Sequence, residues 1–283
     1  MKRHPLRSWL LGIWAVAALV YLFVPIAIVV LYSFNDPKGR YNLTWEGFTL
    51  DHWKDPFAVD GLSEALTNSL LIGVLATAAA VLLGTFMALA LVRYGFRGRG
   101  PANFFIFLPL ATPEVVLGAA LLGLFITWGL GTGFFTIWIA HTMFCLSYVV
   151  VTIRARLQGL DTHLEEAAMD LGASEWTAFR KVTLPIIEPG ITAAALLSFA
   201  LSVDDFVITN FTAGQTSTFP LFIWGAARQG VPAEVNVLAT MLLLGVLVLM
   251  GLNVLYQRRR ARADMGALAA EPGRPLATPG LGQ

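Results

Sequence analysis

Three carboxylates lie inside long apolar runs of this sequence: Glu114, Asp204 and Asp205. A charged group within the hydrocarbon of a membrane is costly, so each is a functional hypothesis by default. Two roles fit them, namely attraction of a cationic solute or hydrogen bonding to Asn, Ser or Thr on neighbouring helices. Asn210 and Ser202 are nearby candidates for the second role. Because adjacent residues on a helix are about 100° apart, only one of Asp204 and Asp205 is expected to face a pore squarely.

No catalytic or metal-binding pattern accompanies these acids. The histidines are scattered without the spacing of a metal site: His4, His52, His141 and His163. The phosphate-binding motif G-x-x-x-x-G-K-[ST] is absent from the sequence. We therefore predict no catalytic residue, no metal site and no cofactor, and another chain must carry out any ATP hydrolysis. The single Cys145, inside an apolar run, is predicted to be a buried thiol.

The elements that must position the acids are membrane helices. Apolar residues make up 57% of the chain and charged residues only 13%, which is typical of membrane proteins. A run of about 20 apolar residues is needed to cross the hydrocarbon core. The predicted fold is therefore an all-α integral membrane protein with six transmembrane helices. They cover approximately Trp9–Tyr32, Thr67–Val92, Ala102–Trp128, Phe134–Ile153, Gly190–Phe211 and Val235–Tyr256.

Glu114 and Asp204 are predicted to share one depth in the membrane. At 1.5 Å per residue, each lies about 20 Å from the inner boundary of its span. That level is slightly outside the midplane of a core about 30 Å thick. Pro109 and Pro113, just before Glu114, predict a broken or kinked helix, which is tolerated where backbone lines a cavity. An acidic level of this kind suits a cationic passenger.

The distribution of positive charge predicts the orientation. With the N-terminus in the cytoplasm, fifteen of the 19 Lys and Arg residues fall on the inner side. The positive-inside rule therefore places both termini in the cytoplasm. The predicted organisation is an N-terminal segment 1–8, a membrane domain 9–256 and a disordered tail 257–283. The Arg258–Arg260 run is interpreted as a stop signal at the lipid headgroups, and no nucleic-acid partner is expected.

The inner segment Asp161–Pro185 is polar yet has the pattern of two short helices. Thr162 and Glu165 have capping-box spacing, which predicts a helix start. Gly172 is predicted to end this helix, Ser174 to cap a second one, and Pro185 to end it. The first helix has one short apolar face, formed by Leu164, Ala167, Ala168 and Leu171. Such a corner, with small residues where a partner can approach closely, is interpreted as a docking element.

The same segment resembles the EAA motif of ABC-importer permeases, which has the form EAA-x3-G-x9-I-x-LP. The matching residues are Glu166, Ala167, Ala168, Gly172, Leu184 and Pro185. The only departure from the motif is Val182 in place of Ile. The resemblance implies the type I ABC importer permease fold, with a cytoplasmic coupling-helix loop at residues 161–185. It also implies that the matching residues couple the chain to a cytoplasmic ABC ATPase dimer, whose closure on ATP would turn the pore outward.

Three further stretches resemble the spermidine/putrescine-type permeases, and within them the second of two paired permeases. They are LPLATPE at 108–114, LSFALSVDDF at 197–206 and PAEVNVLAT at 232–240. This resemblance implies a polyamine-like solute that passes Glu114, Asp204 and Asp205. It also implies delivery by an extracytoplasmic solute-binding protein, a pore shared with a sister permease, and a place in the bacterial inner membrane.

Other interpretations stay open at this point. A permease of the same type could carry another small solute, since related permeases share part of these stretches. An ATP-independent cation carrier or channel could use the same carboxylates, but no inverted repeat is visible and the inner helix pair would have no role. The outer loop 34–62 holds Trp45, Trp53 and Phe57 among acidic residues. It is predicted either to lie at the membrane interface or to contact an extracytoplasmic partner.

Overall fold

The computed structural model describes residues 5–39, 41–159, 163–228 and 230–269, and its regular elements in these ranges are helices. Asp161 and Thr162, the predicted start of the inner helix, lie outside the described residues. The α-helices are α1 Pro5–Tyr32, α2 Asp51–Lys54, α3 Leu62–Arg93, α4 Arg99–Ala111, α5 Glu114–Thr127, α6 Phe134–Leu157, α7 His163–Asp170, α8 Glu175–Ala178, α9 Leu184–Asp204, α10 Val207–Thr212, α11 Phe219–Ala227 and α12 Ala233–Ala269. A π-helical segment, Phe179–Thr183, joins α8 to α9.

Five of the described helices are long and apolar enough to cross a membrane. They cover Leu11–Tyr32, Leu62–Arg93, Phe134–Leu157, Glu175–Asp204 and Ala233–Tyr256, where Glu175–Asp204 takes α8, the π-helical segment and α9 as one continuous helix. A sixth crossing results if α4 and α5 count as one broken span, since they meet at an angle of 113°. The prediction of an all-helical membrane protein is confirmed, with the third predicted span divided into two helices.

The division between α4 and α5 follows from proline chemistry. Thr112 has extended backbone angles, φ −88° and ψ 132°, as expected for a residue that precedes proline. Pro113 then stands at the N-cap of α5, where its missing N–H costs nothing. Pro109 is accommodated inside α4. The predicted break before Glu114 is therefore confirmed, and Pro113 is the residue that causes it.

Two predicted helix ends differ from the structure. The fifth predicted span, Gly190–Phe211, is not one helix, because α9 ends at Asp204 and α10 begins at Val207. Between them Asp205 has an extended ψ of 117°. At the other end of the chain, α12 continues to Ala269, whereas a disordered tail was expected from residue 257 onward. The alternating Arg and Ala residues after Tyr256 have high helix propensity, which accounts for the longer helix.

One compact unit comprises the described residues within 1–58 and 231–283. Within it α1 packs against α12, and α2 also contacts α12. The loop after α1 folds around the fully buried Asn35, whose side chain forms hydrogen bonds within the loop. His52 Nδ1 on α2 lies 3.0 Å from Glu234 Oε1, so a polar contact ties this short helix to the first turn of α12.

The other compact unit comprises the described residues within 59–230, and its core is formed by α3, α6 and α9 packed on one another. Small side chains let these helices approach closely, as is common between membrane helices. The predicted burial of Cys145 is confirmed, since it is 0% exposed on α6. The buried side chains around it are mostly apolar and include Ala80, Ala88, Phe144, Val149, Val150, Ile153 and Ile187.

The contact of α3 with α6 depends on Gly84. A Cβ added to Gly84 would lie 2.6 Å from Val149 Cγ1, which is closer than side-chain carbons approach. We expect Gly84→Val to lower the Tm in detergent by about 5 °C, since overpacking costs about 1–3 kcal/mol. The matched control is Gly123→Val on α5, where an added Cβ has no atom within 4 Å. Size-exclusion chromatography of heated samples measures both, and equal Tm values would contradict the close packing.

Candidate coupling and solute-path sites

The predicted docking helix is α7, and no residue of it is buried. It ends as the sequence predicts, because Gly172 adopts φ +90°, a conformation that favours glycine. The N–H of Gly172 donates to Met169 O at 2.8 Å, and the N–H of Ala173 donates to Ala168 O at 3.1 Å. These bonds satisfy carbonyls that the end of the helix would leave unpaired. The corner is therefore a defined turn.

The two adjacent glutamates of α7 point in different directions. Glu165 is only 18% exposed and forms an ion pair with Arg93 at the end of α3. Glu166, the acidic residue of the motif, is 63% exposed, and its carboxylate lies 3.1 Å from His163 Nδ1. Ala167 and Leu171 are also exposed, Leu171 by 90%. The helix thus presents Glu166 and apolar side chains to its surroundings, while Glu165 holds it to the rest of the chain.

The second short helix, α8, continues through the π-helical segment into the long helix α9. Ser174 caps α8 as predicted, since its Oγ accepts a hydrogen bond from the Thr177 N–H at 3.3 Å. The prediction that Pro185 ends this helix is wrong, because Leu184 and Pro185 form the first turn of α9. The N–H of Leu184 donates to Phe179 O, five residues back. This wider π-helical turn gives room for the proline ring, which would clash with the carbonyl of a regular α-helix.

Two of the three intramembrane acids are exposed in the chain. Glu114 is the first residue of α5, directly after the break at Pro113. Asp204 is the last residue of α9, directly before the change of direction that leads into α10. Both acids therefore stand at breaks in membrane helices.

The helices that carry these breaks pack against each other. A Cβ added to Gly118 of α5 would lie 2.6 Å from the Phe211 ring of α10. Glu114 precedes Gly118 by one helical turn and thus lies on the same side of α5. α10 begins at Val207, three residues after Asp204, so α5, which carries Glu114, packs against the helix that follows the break at Asp204.

Asp205 has different surroundings from Asp204, since its side chain is only 5% exposed. Its Oδ2 accepts hydrogen bonds from the N–H and the Oγ1 of Thr209, both at 2.8 Å, so it caps the start of α10. It also lies 3.2 Å from Nε2 of His141 on α6. These contacts match the hydrogen-bonding alternative for the acids, with Thr209 and His141 as partners of the carboxylate.

His141 makes polar contacts that the spacing of the histidines in the sequence does not indicate. It is 2% exposed, its Nε2 lies 2.8 Å from Thr209 Oγ1, and its Nδ1 lies 2.7 Å from Ser202 Oγ. The signal that could have found it is its place in the middle of an apolar run, where an ionisable residue normally has a partner. His141 and Asp205 thus hold α6, α9 and α10 together at the helix break.

Residues 80–262 match the family described as "Binding-protein-dependent transport system inner membrane component". This range contains α7, both helix breaks and all three acids, and it covers more than half of the chain. The chain belongs to this family. It is a multi-pass membrane permease of the ABC-importer class.

The sequence of this permease is similar to proteins named for polyamines. It is 39% identical to the spermidine/putrescine transport system permease protein PotC of Haemophilus influenzae, over 89% of this chain and 98% of that protein. It is 41% identical to the putrescine transport system permease protein PotI of Escherichia coli, over 85% of this chain and 88% of that one. The resemblance to spermidine/putrescine-type permeases is confirmed.

Solved transporters share the fold of this permease. A crystal structure of a bacterial ABC transporter for import of the acidic polysaccharide alginate matches with a TM-score of 0.66 at 18% identity, covering 89% of this chain and 96% of that one. An amino acid ABC transporter crystallised with histidines matches with a TM-score of 0.57 at 22% identity, covering 75% and 100%. The predicted ABC importer permease fold is therefore confirmed.

Proposed function

We propose that this permease moves a small polyamine, putrescine or spermidine, inward across the bacterial inner membrane as one part of an ATP-driven importer. The observation that carries the proposal is the similarity to polyamine permeases over nearly their whole length. A transporter of an acidic polysaccharide shares the fold, so the fold does not set the charge of the solute. The exposed carboxylates of Glu114 and Asp204 supply the negative charge that an amine requires.

On this proposal, the segment at residues 161–185 couples ATP hydrolysis by a separate ATPase to the movement of the membrane helices. The exposed face of α7 with Glu166, Ala167 and Ala168 docks in a cleft of a cytoplasmic ATPase dimer. The Gly172 turn sets the angle of the corner, and Leu184 and Pro185 begin the membrane helix that receives the motion. A two-state pore of this kind needs ligands that favour one state, here ATP on the inside and the loaded solute-binding protein on the outside.

The remaining parts of the proposal follow from the same assembly. A sister permease completes the pore, and an extracytoplasmic binding protein delivers the solute. Both termini lie in the cytoplasm, because the positive charges of the loops are concentrated on that side.

The proposal is tested by reconstitution of the permease in proteoliposomes with the ATPase, sister permease and binding protein from neighbouring genes. We expect uptake of radiolabelled putrescine or spermidine that requires both ATP and the binding protein. Uptake without ATP would favour the carrier or channel alternative. No uptake of either amine, with uptake of another small solute, would contradict the polyamine assignment.

The acids of the solute path are tested in the same liposomes. We expect Asp204→Asn and Glu114→Gln each to lower kcat/KM for polyamine uptake about tenfold to hundredfold, the usual cost of losing a charged hydrogen-bond partner. The matched control for Glu114→Gln is Glu64→Gln, another exposed glutamate in the first turn of a membrane helix. Equal uptake by Glu114→Gln and Glu64→Gln would exclude Glu114 from the path, and wild-type uptake by Asp204→Asn would exclude Asp204.

A further inference from the structure

Arg93, the last residue of the long membrane helix α3, contacts three groups of the inner corner. Its Nη2 donates to Glu165 Oε1 on α7. The same nitrogen donates to Thr183 Oγ1 at 3.0 Å, and the guanidinium lies 5.7 Å from the centre of the Phe179 ring. Phe179 and Thr183 are the first and last residues of the π-helical segment. One cation thus joins α3 to α7 and to both ends of the segment that leads into α9.

These contacts are partly sheltered from solvent. The side chains of Arg93 and Glu165 are 28% and 18% exposed, and Thr183 is fully buried. A partly buried ion pair is screened less by salt than a surface pair. The Nη2 group donates to two acceptors while the guanidinium lies near an aromatic ring, so one side chain makes all three contacts at once.

The backbone route from α7 to the membrane is indirect. It runs through the turn at Gly172, the short helix α8 and the π-helical segment before it reaches α9. π-Helical hydrogen bonding is rare and occurs mostly as single turns at functional sites. If these connecting segments flex, a displacement of α7 does not reach α9 unless a side chain holds α7 and the π-helical segment in fixed positions. Arg93, at the end of α3, contacts both α7 and the π-helical segment.

We propose that Arg93 is the positioning residue that transmits the displacement of α7 to the membrane helices α3 and α9. The inference rests on the proposed function, in which an ATPase moves α7. Without Arg93, α7 keeps its Gly172 turn and its exposed face with Glu166, so the ATPase still binds. ATP hydrolysis then continues, but the motion is no longer passed on to the pore.

The test compares Arg93→Gln and Glu165→Gln in the complete transporter, with uptake of radiolabelled polyamine and ATP hydrolysis measured on the same proteoliposomes. We expect both variants to retain the ATPase and to lower uptake per ATP hydrolysed about tenfold, which is a typical size for coupling between sites. The double variant is expected to be no worse than either single one, because both remove the same interaction. The matched control is Arg97→Gln, since Arg97 on the following turn is exposed and has no hydrogen bond or ion pair among the described residues.

Three results would overturn the inference: wild-type uptake per ATP in Arg93→Gln, loss of the ATPase from that variant, or an equal loss of coupling in Arg97→Gln. If wild-type liposomes show no ATP-dependent uptake of any amine, the proposed function fails instead. Hydrogen–deuterium exchange on the purified permease then still decides the role of Arg93. We expect faster exchange at residues 163–170 and 179–183 in Arg93→Gln than in Arg97→Gln, and equal rates would contradict the proposed positioning role of Arg93.

Discussion

Replacing Glu166 with arginine is expected to abolish ATP-dependent uptake and co-purification of the ATPase, while the chain still inserts in the membrane. The side chain is 63% exposed and belongs to a helix without buried residues, so the core of α3, α6 and α9 is unaffected. Reversal of a charge at a docking surface costs several kcal/mol, so we expect affinity for the ATPase to fall about a hundredfold or more. Affinity purification of the complex and uptake by proteoliposomes measure the two losses.

The control for this variant is Glu64→Arg, the same charge reversal at an exposed glutamate of α3. It is expected to leave the complex and the uptake intact. Persistent ATP-dependent uptake by Glu166→Arg would show that the coupling assignment is wrong. Loss of both activities together with loss of the protein from membranes would point to misfolding of Glu166→Arg. In that case Glu166→Gln, which keeps the size of the side chain, distinguishes loss of coupling from misfolding: loss of uptake with normal membrane insertion would support the coupling role.

The second large effect is expected at the helix break behind Asp204. Replacing His141 with leucine leaves the Asp205 carboxylate, 5% exposed, without the imidazole that lies 3.2 Å away. Loss of a hydrogen-bond partner from a buried charged group costs about 3 kcal/mol or more. We expect a loss of about this size in the free energy of unfolding, measured by SDS titration in mixed micelles.

The matched control is His52→Leu, since His52 also pairs with a carboxylate at 3.0 Å but is 23% exposed. A partly exposed pair contributes about 1 kcal/mol or less, so the loss should be much smaller there. The double variant His141→Leu with Asp205→Leu should recover part of the stability, because it leaves no unpaired charge. An equal loss in the two histidine variants would contradict a structural role for the His141–Asp205 contact.

The adjacent residues Asp204 and Asp205 have different surroundings, and we expect different roles for them. Asp204 is exposed at the end of α9 and is proposed to meet the solute. Asp205 is held by Thr209 and His141 and sets the change of direction that presents Asp204. Asp204→Asn is therefore expected to change transport and Asp205→Asn chiefly stability.

Features that depend on local chemistry could be predicted from the sequence alone. The apolar runs identify the membrane helices, because a spanning segment must be long and continuous to be solvated by lipid. Pro113 breaks its span and Gly172 ends α7, since both act on the backbone within a few residues. The spacing of Glu166, Gly172 and Pro185 placed the chain among ABC-importer permeases, and the family match confirms this class. Each of these signals lies within a single short stretch.

Features that depend on partners distant in the sequence were decided only by the tertiary structure. Arg93 meets Glu165 and Thr183, which lie 72 and 90 residues further along the chain. His141 meets Ser202 at a separation of 61 residues. Proline was expected to end the helix at Pro185, but the π-helical turn before it lets the helix continue. Side-chain type states what a residue can bind, whereas the packing of α3, α6, α7 and α9 determines which partner is within reach.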